Sequence, residues 1–157
     1  MTEKLKFIIS NLEDSFDGKP WYGIAVMKKL DEISWEITNQ KIYGNKTIAI
    51  LVKHIINWRV FIIKKLEGDV DFNIVIDGQN DWDAIQISSQ MEWDDLKQEL
   101  KKTQQNLLEK LVQENDALLL KKVPGKAYTF GPILTSIAQH DIYHLGQIAM
   151  LNAICQN

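Results

Sequence analysis

A single cysteine, Cys155, is all the chain offers for covalent cross-linking. An internal disulfide is therefore excluded, and a reducing, cytoplasmic setting is expected. An excess of positive charge is also missing. The 18 basic residues face 21 acidic ones, a net of −3. Nothing here forms the basic patch or stripe that a nucleic-acid partner would need. No apolar run approaches the ~18 residues of a membrane span. The opening MTEKLKFIIS has no long apolar core and no small-residue cleavage site, so a signal peptide is not expected. There is no internal repeat and no low-complexity segment. There is no G-x-S-x-G elbow, no phosphate-binding glycine loop and no H-E-x-x-H, hence no glutamate placed as a metalloprotease base. The acidic stretch from Asp69 fails as a calcium loop, because Ile74 stands at the glycine position and Asn80 at the glutamate position.

What remains is helical periodicity. At 157 residues with 45% hydrophobic content, one domain spanning 1–157 with a substantial core is expected. A first helical stretch runs from about Thr2 to Ile33. It breaks at Phe16–Pro20 and resumes near Trp21, since proline starts helices better than it continues them. Trp35 to Asn45 reads as a loop. A second long helix runs from about Lys46 to Glu67, with Asn45 as its N-cap and Gly68 as its stop. Its inward stripe is Leu51, His54, Trp58, Phe61 or Ile62, and Leu66. The helical signal fails from Asp69 to Gln90. Asn73–Ile76 there reads as a short strand or an extended loop, and Asp77-Gly78 as a turn. A third helix covers about Glu92 to Asn115. A loop bracketed by Pro124-Gly125 and Gly131-Pro132 follows, then a fourth helix from about Pro132 to Ile154. Its stripe is Ile133, Ile137, His140, His144, Ile148 and Leu151. The pattern predicts an all-α four-helix bundle.

The chain has three histidines, and each falls on an inward stripe. His140 and His144 stand at i, i+4, which puts both imidazoles on one helix face a turn apart. His54 faces inward from another helix. Burying three imidazoles without partners is costly, and one divalent ion per chain satisfies all three. Neutral imidazoles suit Zn²⁺, Ni²⁺, Cu²⁺ or Fe²⁺. Three protein ligands leave a position open for water or a substrate atom. The plain alternative is a structural bundle whose histidines hydrogen-bond to carbonyls or water.

The segments TIAILVKHIINW (Thr47–Trp58) and HDIYHLGQI (His140–Ile148), together with FDGKPWYG (Phe16–Gly23), resemble the DinB, or YfiT-like, metal-binding family. The resemblance implies an up-down-type four-helix bundle with a long connection, frequently a homodimer. It also implies a nickel or zinc ion on the residues matching His54, His140 and His144. Some relatives transfer low-molecular-weight thiols such as bacillithiol or mycothiol, or catalyse mycothiol-dependent isomerisation. The expected function is metal-dependent thiol transfer, or hydrolysis, on a small electrophilic molecule. The alternative is a non-catalytic metal-binding module in stress response or interaction. No catalytic acid, base or nucleophile stands out.

Trp21, Tyr22, Trp58 and Trp82 are the candidate walls of a substrate pocket. Each also has a packing explanation. Tyr143 points about 100° from His144 around the helix and reads as a packing or dimer residue. Gln147 either supports His144 or faces solvent. Asp141 neighbours His140 in sequence only and is not expected to be a ligand. Cys155 is expected to be inert, because a nucleophile so near the chain end lacks a fixed partner.

Overall fold

The computed structural model describes residues 3–41 and 44–156. Among these residues five helices form: α1 (Glu3–Asp17), α2 (Val26–Asp31), α3 (Ile48–Leu66), α4 (Gln90–Leu111) and α5 (Phe130–Cys155). Single 3-10 turns occupy Trp35–Ile37 and Asp116–Leu120. No strand forms among the described residues. Asn73–Val75 is loop and Ile76 begins a turn, and one isolated bridge pairs Lys122 with Thr129.

The helix ends follow their side chains. Thr47, not Asn45, caps α3: its hydroxyl accepts the Ile50 N–H at 3.3 Å. Gly68 ends the helix with φ +87°, and the Asp69 N–H returns to the Lys64 carbonyl at 3.0 Å. Ser89 caps α4 by accepting from the Glu92 N–H. The first helix takes its cap from elsewhere, since the Asp116 carboxylate accepts the Leu5 N–H at 2.8 Å. Pro20 does not start a helix. Its carbonyl accepts the Gly23 N–H at 3.3 Å, so Pro20–Gly23 form a turn with Gly23 at φ +143°. Trp21 and Tyr22 sit in that turn, and α2 begins only at Val26.

The four long helices pack in a ring, α3 against α4 and α5, and α1 against α5 and α4. Their directions follow from side-chain pairs. Lys53–Glu99, Arg59–Gln104 and Glu67–Lys110 rise in step, so α3 and α4 run parallel. His54 meets His140 and His144 while Arg59 meets Asp141, so α5 runs antiparallel to α3. A parallel pair needs a connection as long as the helix it returns along, about 28 Å for 19 residues. Residues 67–89 make that return. This brings the middle of the loop back beside the first half of α3, where His54 lies.

The core is divided. One apolar cluster gathers Phe16, Leu30, Leu51, Ile55, Trp93 and Leu145. Another gathers Leu5, Leu12, Ile62, Leu107 and Leu134. Between them runs a buried polar layer of His54, Arg59, Gln104, Asp141 and His144.

Candidate metal centre

The polar layer holds the histidines at its rim. His54 and His144 are buried and His140 is half-buried. The His140 Nε2 lies 3.0 Å from the His54 Nε2 and 3.2 Å from the His144 Nε2. One ligand atom from each of the three lies within 4.8 Å of the others.

The far side of each ring sets its tautomer. The His54 Nδ1 lies 2.9 Å from the Asp81 carbonyl and 3.0 Å from Asp81 Oδ1, both acceptors, so it carries the proton. The His144 Nδ1 lies 2.6 Å from Gln147 Oε1 and donates to it. Both Nε2 atoms therefore present lone pairs, aimed at the same spot. A His140 Nε2–H could satisfy only one of them. Moreover, the His140 Nδ1 is buried without a protein hydrogen-bond partner. This donor set fits a cation. For metal–nitrogen bonds of about 2.0–2.1 Å, right-angled ligands lie about 2.9 Å apart and tetrahedral ones about 3.4 Å. The two separations to the His140 Nε2 fall between.

The returning loop fixes the outer contacts. A turn at Val75–Gly78 uses the left-handed Asp77 (φ 60°), and a Cβ on Gly78 would meet the Val75 carbonyl at 2.8 Å. The next residues deliver Asp81, which is 3% exposed. Besides holding His54, its Oδ1 accepts the Trp58 indole N–H at 2.9 Å, and its Oδ2 accepts the Asp77 N–H at 2.9 Å. Trp82 stacks flat on the His54 ring, with centroids 3.7 Å apart and planes 5° apart. The Lys46 ammonium covers the other Trp82 face at 3.3 Å.

These rings line a cavity of about 380 Å³ with Trp58, Ile62, Ile76, Trp82, Ile133 and Ile137. Of the four expected pocket walls, Trp58 and Trp82 line this cavity. Trp21 and Tyr22 do not: Trp21 is 96% exposed, and neither lines the cavity. Tyr143, expected in packing, lines the mouth edge-on to His144. Gln147 supports His144. Asp141 pairs with Arg59, its Oδ1 3.8 Å from the His140 Nδ1.

A family model described as the DinB family matches residues 12–152. The chain belongs to the DinB family. No curated protein and no solved structure matches it. In this DinB protein the three close histidines can hold a metal ion. No helix among the described residues is long and apolar enough to cross a membrane.

Two roles lay outside the sequence reading, those of Asp81 and Arg59. Asp81 is expected to act on the ion through His54. In Asp81→Asn the His54 Nδ1–H keeps a carbonyl partner but loses the charge behind it. Metal affinity, measured by chelator competition, should fall roughly 10–100-fold. An affinity within twofold of wild type would refute this role.

Burial also sets a pH dependence. Desolvation outweighs the Gln147 hydrogen bond and lowers the His144 pKa to about 4, and it lowers that of His54 as well. Unfolded histidine titrates near 6.5, so between these values the unfolded chain binds more protons. Stability therefore rises with pH in that window and is lost as pH falls. For His144 alone, metal-free protein should be about 2 kcal/mol less stable at pH 5 than at pH 7.5. Urea titrations at both pH values check this, and His144→Gln should flatten the difference.

Proposed function

We propose that His54, His140 and His144 bind one divalent ion, Zn²⁺ or Ni²⁺, and that the protein is a metal-dependent enzyme on a small-molecule substrate. Transfer of a low-molecular-weight thiol to an electrophile is the favoured reaction, with hydrolysis the related possibility. One observation carries this reading. The two lone pairs fixed by Asp81 and Gln147 converge with the His140 Nε2 at the wall of a cavity able to admit a small molecule. When bound, the ion lowers the pKa of a thiol or water that joins it and so provides a nucleophile at neutral pH.

The chain's own groups supply position and desolvation. Asp81 and Gln147 hold two rings in their ligating tautomers. Trp58, Ile133 and Ile137 keep the reacting atoms from bulk water. Both Asp81 oxygens already accept hydrogen bonds, so Asp81 is not a free base. In the transfer, the thiol proton leaves to solvent at the cavity mouth. Sulfur then bonds to the electrophilic carbon as the leaving group departs with its electron pair.

The test is elemental analysis of untagged protein, followed by assay of thiol–electrophile pairs with loaded and metal-free samples. About one ion per chain with metal-dependent turnover supports the proposal. One ion without turnover favours a non-catalytic binding module. No ion, as purified or after adding Zn²⁺ or Ni²⁺, overturns it.

A further inference from the structure

The cavity's lining restricts what can enter. Ile62, Ile76, Ile133, Ile137, Trp58 and Trp82 make most of its wall, and no lysine or arginine is among the lining residues. Asp81, the one carboxylate there, has both oxygens engaged. Ser136 at the rim donates to the Ile133 carbonyl at 3.2 Å. Lys46 lies behind the Trp82 ring. Arg59 is committed to Asp141 and Gln104.

One donor atom of a bound molecule, such as a thiolate, can join the ion at the open position. A second anion on the same molecule would lie in an apolar wall with no cation to meet it, at a large desolvation cost.

We infer that the substrate is a small, otherwise uncharged apolar molecule carrying one donor atom for the ion, and that thiols bearing carboxylates are excluded. This rests on the metal reading above. It narrows the substrate class away from charged carrier thiols, because their carboxylates have no partner in this cavity.

The experiment uses the full chain loaded with Zn²⁺, its metal content measured before and after each titration. Calorimetry compares methyl 3-mercaptopropionate with 3-mercaptopropionate, which differ by one carboxylate, and adds 2-phenylethanethiol. The ester should bind at least about tenfold tighter than the acid, and 2-phenylethanethiol at least as well as the ester. Ser136→Lys places a cation on an exposed rim position. It should strengthen binding of the acid several-fold more than that of the ester. Equal or tighter binding of the acid by wild type overturns the inference while the metal reading stands. If no ion loads, the metal reading fails by itself. The apolar preference is then read on metal-free protein, from Trp58 and Trp82 fluorescence with 2-phenylethanol against 3-hydroxypropionate. A response to the acid as large as to the alcohol would also overturn it.

Discussion

His140→Ala, purified without a tag or chelator, is expected to fall from about one ion per chain to near none. His140 stands between the other two ligands, 3.0 Å and 3.2 Å from their Nε2 atoms, so its loss leaves two imidazoles with nothing between them. The affinity loss should exceed the roughly 10–100-fold typical of removing an outer partner such as Asp81. Because His140 is half-buried at a cavity wall, truncation enlarges the cavity and leaves the core intact. Far-UV circular dichroism should be unchanged. A thermal readout separates this site from adventitious binding. An ion at 100 times its dissociation constant should stabilise wild type by about 2.7 kcal/mol, and His140→Ala by close to nothing. His54→Ala should behave alike, with the added loss of the Trp82 stack. Unchanged metal content in His140→Ala would remove it from the ligand set.

The long helices were legible because their signals are local. Apolar steps of three and four mark the inward faces, and Gly68 marks a stop. The same stripes carried His54, His140 and His144 inward, so their convergence could be anticipated. The N-terminal turn was misread because Pro20 serves a turn as readily as a helix start, and the left-handed Gly23 decides between them. Residues 69–89 were opaque for a topological reason. That α3 and α4 are parallel is a fact about packing. Only the return path puts Asp81 on His54, 27 residues away in sequence. A clue to the buried layer was nevertheless present. Arg59 is the only arginine in a chain otherwise cationic through lysine, and it lies inside the apolar run from Ile55 to Ile63. A forked, permanently charged group in such a run calls for a planar acceptor, and Asp141 on α5 provides one.

That pair should carry the largest effect on stability. Arg59 and Asp141 are both 0% exposed. The guanidinium donates from Nη2 to the Asp141 carboxylate and from Nη1 to the Gln104 amide oxygen, and it lies 4.9 Å over the Phe16 ring. Gln104 passes the chain of bonds on by donating to the Leu12 carbonyl at 3.0 Å. Four helices therefore meet through one arginine. Arg59→Met leaves the Asp141 charge buried without its partner and should cost about 3–5 kcal/mol, a large part of the roughly 5–15 kcal/mol typical of a domain. The urea midpoint measures it. Arg59→Lys should recover little, because an ammonium cannot reach both acceptors in one plane. Arg59→Met with Asp141→Leu removes both charges, and most of the lost stability should return. If the double variant is as unstable as Arg59→Met, the cost lies in packing against Phe16 and not in the stranded carboxylate. The double variant also isolates the pair's bearing on the metal centre. Asp141 Oδ1 lies 3.8 Å from the His140 Nδ1, and the pair ties the turn of α5 that carries His140 to the turn of α3 beyond His54. A refolded double variant should therefore hold the ion about tenfold more weakly than wild type. Wild-type affinity in that background would confine the ion pair to holding the bundle together.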